Sequence, residues 1–293
     1  MKIFFPRLFL IALSLLLAAC SSTGPDKTTD WPPGKLYEEA KLELNTGNYQ
    51  TALELYQKLS SRYPFGKYAK QGALDTAYAH WKNGDAGLAL ASLNQYNKLY
   101  PNQLGSDYAL YLKGLINFNE NKTLFSSFTG EDMAERDAEA GRLAFAAFKT
   151  LVEKYPSSAY VTDANRRMKF LRNVLGENEV HVARFYLRRN AFIAALNRCK
   201  VILSQYQGTP ATEEALAIMF ASYNAINLKT LADDTKRILE MNFPDSYYLV
   251  FAYDPSLRGG LPKSANRKTS TTWTDFNIFD ALKNILPDGL ITN

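Results

Sequence analysis

The segment that decides the fold is KLYEEAKLELNTGNYQTALELYQKLSSRYP, residues 35–64. Its apolar residues recur every three or four positions, which predicts two amphipathic helices. Gly47 lies between the two periodic runs, where glycine can close a helix in the left-handed conformation, and Pro64 cannot continue the second helix. The small side chains of Ala40 and Ala52 allow the two helix axes to approach closely. The segment therefore predicts a helical hairpin.

The same pattern returns 37 residues later as a second repeat, then in an interrupted third, a fourth and a weaker fifth. This spacing resembles the tetratricopeptide repeat, in which small residues mark the helix crossing and a proline ends the second helix. The sequence thus predicts an all-α, right-handed tetratricopeptide-repeat solenoid of about five helix pairs, with an insertion in the third repeat. The positions that carry the pattern are Ala77, Gly84, Ala89, Leu93 and Pro101, then Gly114, Ala144, Phe148, Leu151 and Pro156, then Ala183, Asn190, Phe192, Ala195, Cys199 and Ile202, then Ala232, Leu239 and Pro244.

The repeats are predicted to form two halves. Residues 35–156 hold repeats one to three, and residues 157–253 hold repeats four and five. The insertion in the third repeat occupies residues 119–139, and long insertions in repeat proteins map to one face. Residues 163–175 have a helical pattern of their own, which we interpret as a continuing or spacer helix that divides the halves.

The chain after the repeats has a different composition. Residues 254–272 are rich in Gly, Pro, Ser, Thr, Lys and Arg, which is typical of a polar linker. Residues 273–293 carry apolar side chains at helical spacing and predict a short amphipathic tail. We interpret this tail as a cap on the open end of the last repeat, because repeat arrays need a terminal cover. An anchor for a partner or for the membrane surface is the alternative.

The first residues predict a secretory signal peptide at residues 1–19. Lys2 and Arg7 precede an apolar run that is too short to span a bilayer. Removal of the signal lowers the formal net charge from +5 to +3, which is too mild for a nucleic-acid-binding protein.

The motif LAAC at residues 17–20 resembles a bacterial lipobox, in which the cysteine becomes the lipidated first residue of the mature protein. By this resemblance Cys20 carries the lipid and residues 20–34 form a lipidated linker, so the protein is anchored to the membrane rather than spanning it. Ser21 in place of Asp implies sorting to the outer membrane, at its periplasmic face. An ordinary secreted protein cleaved near Ala19 is the alternative.

No sequence-local catalytic or metal-binding motif is present, so the sequence predicts neither an enzyme nor a cofactor. His80 and His181 lie in different repeats and are interpreted as partly buried helix residues. Once Cys20 is lipidated, Cys199 is the only thiol of the mature chain, which excludes an intramolecular disulfide.

Two surfaces remain as candidates for binding. Basic residues outnumber acidic ones between residues 160 and 200, which indicates either an acidic protein partner or merely solvated helices. Tyr63, Phe65 and Tyr68 flank the first interrepeat turn, where aromatic residues either fill the core or line a peptide groove. The basic residues are Arg166, Arg167, Lys169, Arg172, Arg184, Arg188, Arg189, Arg198 and Lys200.

A set of residues outside the helix-crossing positions forms a more distinctive pattern: RYPFG at residues 62–66, Tyr68, Gln71, Leu74, Asp75, Tyr78 and Lys82, then Arg136 and Asp137 in the insertion, YPSS at residues 155–158, Tyr186, Arg189, Asn197 and Arg198. This pattern resembles the BamD family, the tetratricopeptide lipoproteins of the outer-membrane β-barrel assembly (Bam) complex. The resemblance covers about residues 31–245 and the lipobox.

The resemblance implies a non-enzymatic scaffold. Its C-terminal repeats would dock on a POTRA domain of BamA, with Arg198 as the first candidate contact and Arg189 as the second, and accessory Bam lipoproteins would join. Its N-terminal repeats would receive the C-terminal signals of unfolded outer-membrane β-barrel substrates at Tyr63, Phe65 and Tyr68. A periplasmic repeat lipoprotein that regulates peptidoglycan synthesis and a lipid-anchored cell-wall hydrolase are the alternatives.

Overall fold

The computed structural model describes residues 26–101, 103, 105–120, 138–250 and 253, and in these ranges all regular structure is helical. The predicted all-α tetratricopeptide-repeat class is therefore confirmed. Several predicted features lie outside the described residues: the signal peptide, Cys20, most of the insertion, including Arg136 and Asp137, the polar linker of residues 254–272 and the tail of residues 273–293. The described helices are α1 (Pro33–Asn45), α2 (Tyr49–Arg62), α3 (Lys67–Lys82), α4 (Ala86–Leu99), α5 (Ser106–Glu120), α6 (Glu139–Lys154), α7 (Val161–Arg188), α8 (Phe192–Gln205), α9 (Ala211–Ala225), α10 (Lys229–Asn242) and α11 (Tyr247–Val250).

The turns within the helix pairs share one backbone conformation. Gly47, Gly84, Asn190 and Asn227 have φ values of 86°, 91°, 57° and 61°, which are all left-handed. These residues follow α1, α3, α7 and α9, so each closes the first helix of its pair. Asparagine replaces glycine in the fourth and fifth repeats because its short polar side chain tolerates this conformation.

Small residues occupy the predicted helix crossings. The alanines at these positions, namely Ala40, Ala52, Ala77, Ala89, Ala144, Ala183, Ala195 and Ala232, are each 0% exposed. In the third repeat the corresponding small residue on α5 is Gly114, and a Cβ added there would overlap the ring of Phe148 on α6. The crossings therefore bring the helix backbones to a separation that larger side chains would prevent.

The described chain divides into two compact units, with the boundary between Gly72 and Ala73. In the first unit, Leu36, Tyr56 and Leu59 are buried between α1 and α2. The second unit has a core formed by α3 to α7 and another formed by α7 to α10. The predicted division after residue 156 stays a prediction.

The continuing or spacer helix that the sequence predicts over residues 163–175 is part of a longer helix, α7. It runs without a break from Val161 to Arg188. Its N-terminal half packs in the core formed by α3 to α7, and its C-terminal half packs in the core formed by α7 to α10. Gly176 at its middle lies tightly against the start of α9, because a Cβ there would come within 3.1 Å of Thr209 and Ala211. The predicted spacer and the first helix of the fourth repeat are thus one element.

Two arginines of the basic stretch are buried by ion pairs. The Arg167 Nε donates to Asp163 Oδ2 at 2.5 Å, and the same oxygen accepts from the Tyr111 hydroxyl at 2.8 Å. The Arg184 guanidinium makes a bidentate contact with Glu214 on α9, at 2.5 and 2.6 Å. Burial alone would lower the pKa of Arg184, but the hydrogen bonds and charge of Glu214 raise it above its usual value. These two cations therefore belong to the core and not to a surface patch.

Replacement of Gly114 by alanine should lower the free energy of unfolding by about 1–3 kcal/mol, because the added methyl group overpacks the contact with Phe148. Urea denaturation followed by circular dichroism measures this change. Gly87→Ala is the matched control, since nothing lies within 4 Å of a Cβ there, and it should leave stability equal or up to about 0.5 kcal/mol higher. Equal effects of the two substitutions would contradict the close crossing.

Replacement of Arg184 by methionine should lower the free energy of unfolding by about 3–5 kcal/mol, because it leaves the buried Glu214 carboxylate without its cation. Thermal or urea denaturation measures the loss. The double variant Arg184→Met with Glu214→Gln should recover part of it, since the uncompensated charge is then removed. A double variant as unstable as the single variant would refute this explanation.

Candidate functional site

The first candidate surface lies on the α7–α8 hairpin, around Arg198. Its Nη1 lies 3.3 Å from Glu179 Oε2, and the other carboxylate oxygen lies 3.5 Å from Arg142 Nη2 on α6. The Glu179 side chain is 6% exposed, whereas that of Arg198 is 43% exposed. Arg198 is therefore held on one side by a buried carboxylate and open to solvent on the other.

This arrangement gives Arg198 a defined geometry. A guanidinium has five N–H donors in a rigid fork, and Glu179 uses only part of them. Because the side chain is already oriented, less conformational entropy is lost when it binds a partner carboxylate. The geometry suits recognition of an acidic group on another protein.

Arg189, the second predicted contact, is exposed at the C-terminal end of α7. Its guanidinium carbon lies 4.4 Å from the centre of the Phe185 ring, a cation–π geometry. Phe185 is 43% exposed, and Ile193 at the start of α8 is 60% exposed. The hairpin thus combines two predicted arginines with two exposed apolar side chains.

Sequence reasoning missed Phe185 and Ile193. The available signal was helical phase, since Ala183 and Leu187 are buried and Phe185, midway between them, points to the other side of α7. On the exposed side of the hairpin Phe185 lies beside Arg189, and both apolar side chains are accessible to another molecule.

The second candidate surface lies in the first compact unit, where the three predicted aromatic residues have different environments. The Tyr63 hydroxyl donates to the Trp31 carbonyl oxygen at 3.0 Å. The Tyr68 ring lies 5.5 Å from the Tyr37 ring and packs against Gly34. Phe65 is 89% exposed at the turn between α2 and α3. Tyr63 and Tyr68 therefore support the turn, and Phe65 is the residue presented to solvent.

The segment before α1 is fixed on α2. Asp26 accepts hydrogen bonds from Lys58 Nζ at 3.0 Å and from Arg62 Nη2 at 2.5 Å, and Arg62 also donates to the Thr28 carbonyl oxygen. The backbone N–H of Thr28, followed by Lys58, holds the pKa of Asp26 well below its usual value. The described part of the predicted lipidated linker, residues 20–34, is thus ordered on the repeat. Composition did not indicate this order. The local signal was the Asx turn that Asp26 forms with Thr28.

Other side chains that could carry chemistry do not come together in the described ranges. No group of three His, Cys, Asp or Glu residues there could hold a metal ion, and no helix there is long and apolar enough to cross a membrane. Cys199 is fully buried, and burial raises its pKa. His80 on α3 and His181 on α7 belong to separate helices, and burial lowers the pKa of His80.

The chain matches the family YfiO, described as Outer membrane lipoprotein, over residues 29–238, a range that contains both candidate surfaces. It is 44% identical over 253 residues to the Outer membrane protein assembly factor BamD of Neisseria gonorrhoeae, covering 85% of this chain and 95% of that protein. The BamD of Vibrio cholerae is 40% identical over 233 residues, covering 80% of this chain and 96% of its own length. These matches confirm the resemblance, and the chain belongs to the BamD family of outer membrane lipoproteins.

Proposed function

We propose that this protein is a non-enzymatic scaffold of the β-barrel assembly machinery, needed for assembly and insertion of β-barrel proteins into the outer membrane. The support is the name of its relatives, outer membrane protein assembly factors with up to 44% identity over most of the chain. The same names favour this function over regulation of peptidoglycan synthesis. A scaffold acts by positioning its partners, so its binding surfaces determine its function.

The proposed contact with a POTRA domain of BamA is the α7–α8 hairpin. The observation that carries it is the Arg198 guanidinium, half exposed and oriented by the buried Glu179 carboxylate. Phe185, Ile193 and Arg189 add apolar area and a second cation on the same hairpin. Arginine and aromatic side chains dominate binding energy at protein interfaces, so this combination suits a docking site for an acidic partner surface.

Replacement of Arg198 by alanine should weaken binding of BamA by about 2–5 kcal/mol, because the partner carboxylate then loses its cation. Affinity purification from detergent-solubilised envelope measures retained BamA. Arg142→Ala is the matched control: it also removes one of the two arginines that contact Glu179, but it leaves Arg198 in place. Equal loss of BamA in both variants would attribute the effect to Glu179 and refute the direct contact.

The proposed receptor for substrate signals is the turn between α2 and α3. Phe65 offers an exposed ring, and Tyr63 and Tyr68 hold the turn through Trp31 and Tyr37. A signal that ends in aromatic and apolar residues can pack on Phe65. Because holding an extended chain costs about 1–2 kcal/mol per fixed residue, binding at so small a surface is weak and permits transfer of the substrate to the barrel.

A photo-crosslinker at Phe65 should capture the C-terminal residues of an unfolded β-barrel protein, which mass spectrometry identifies. A crosslinker at Leu42, 56% exposed on α1 of the same compact unit, is the matched control and should capture markedly less. Tyr63→Phe should also reduce capture at Phe65, since the hydrogen bond to Trp31 is lost and the turn loosens. Equal capture at Leu42 and Phe65 would contradict a specific site.

The lipid predicted at Cys20 would act as the membrane anchor. It would hold the scaffold at the periplasmic face of the outer membrane, where BamA, accessory Bam lipoproteins and substrates meet. Confinement near the membrane raises the effective concentration of the partners without any new contact. No nucleic-acid partner is proposed, because the net charge of the mature chain is low.

A further inference from the structure

Helix α10 carries an unusual amount of exposed apolar surface. Leu231, Ile238 and Met241 are 45%, 46% and 77% exposed, and Leu228 at its N-terminal cap is 45% exposed. Among the helices that the structure describes, α10 has the most exposed large apolar side chains. A concentration of exposed apolar side chains on one helix is typical of an interaction surface.

The three side chains within the helix form one stripe. At about 100° per residue, Leu231, Ile238 and Met241 fall within an arc of about 80° beside the buried face of α10. The charged residue within that arc, Asp234, is paired with Arg237 at 2.8 Å. The stripe is therefore apolar and close to neutral, which suits an apolar occupant better than a charged one.

The described chain ends on the helix pair that carries the stripe. Helix α10 is the second helix of the last pair, and after it Tyr248 packs with Leu239 and Leu216. The Tyr253 hydroxyl then donates to Glu214 Oε1 on α9 at 2.6 Å. The chain thus leaves the described structure beside the α9–α10 pair, with residues 254–293 still to follow.

We propose that residues 273–293 cover this stripe as an amphipathic cap. Their apolar residues Trp273, Phe276, Phe279, Leu282 and Leu286 recur at intervals of three and four, as a helix packed on one side requires. A linker of the composition and length of residues 254–272 has an r.m.s. span of about 25 Å, close to the length of about 21 Å for α10. The family match ends at residue 238, before these residues begin.

The cap shields the stripe, which would otherwise be an exposed apolar surface of the kind that favours aggregation. A repeat array leaves an open end unless a terminal element covers it. With α10 covered by the chain's own tail, the α7–α8 hairpin remains free for a partner. The two surfaces therefore have different occupants.

Iodide quenching of Trp273 fluorescence tests the proposal. The full mature chain is used with Trp31→Phe and Trp81→Phe, so that Trp273 is its single tryptophan. Trp273 should be shielded from iodide relative to a free peptide of residues 268–293. Adding Ile238→Asp and Met241→Asp should shift the equilibrium toward the released tail by at least about tenfold and restore quenching. Circular dichroism verifies that each variant is folded.

The matched control carries Leu88→Asp and Leu99→Asp, which make the same change at exposed positions on α4 and should leave Trp273 shielded. As a second measurement, ending the chain after Tyr253 should accelerate hydrogen exchange in α10. The proposal would be overturned if iodide quenched Trp273 as strongly as it quenches the free peptide, or if Trp273 became shielded only after vesicles or BamA were added. It would also be overturned if Trp273 stayed shielded after the α10 substitutions. All readings use the isolated protein, so their failure leaves the proposed function untouched.

Discussion

The close crossing of paired helices at alanine or glycine is the constraint on which the rest of the structure depends. The alanines at the crossings are completely buried, and at Gly114 even one methyl group would overlap Phe148. Because interiors are packed to crystal density, each crossing fixes the position of its helix pair within narrow limits. The side chains on the outer faces, including Phe185 and Arg189, are positioned as a consequence.

Buried ion pairs add a second level of definition in the larger compact unit. Arg184 on α7 forms an ion pair with Glu214 on α9. Asp163 on α7 forms an ion pair with Arg167 on the same helix and accepts a hydrogen bond from Tyr111 on α5. A buried pair adds little net stability over an apolar contact, but the loss of one partner is severe. These contacts therefore act mainly against alternative packings of α7, the helix that contributes to both cores.

The two candidate surfaces use one strategy with different strengths. Glu179 orients Arg198, and Tyr63 and Tyr68 support the turn that presents Phe65. In both cases a packed neighbour reduces the entropy lost on binding. The hairpin surface combines apolar area with a second cation, whereas the turn presents one exposed ring, so the hairpin offers the larger set of contacts.

The sequence by itself determined the helix pairs, because apolar spacing, crossing alanines and left-handed turn residues are local signals within about 30 residues. Through the resemblance to a family, it also singled out Arg198 and Phe65 as candidate contacts, which stay predictions. Only the tertiary structure decided which arginines of the basic stretch are exposed, since Arg184 meets its carboxylate 30 residues away and Arg198 meets Glu179 from another helix. The environments of Trp31, Phe185 and the stripe on α10 were decided in the same way. Burial depends on which helices become neighbours, and a charge or an apolar side chain has the same identity in the sequence whether or not a neighbour covers it.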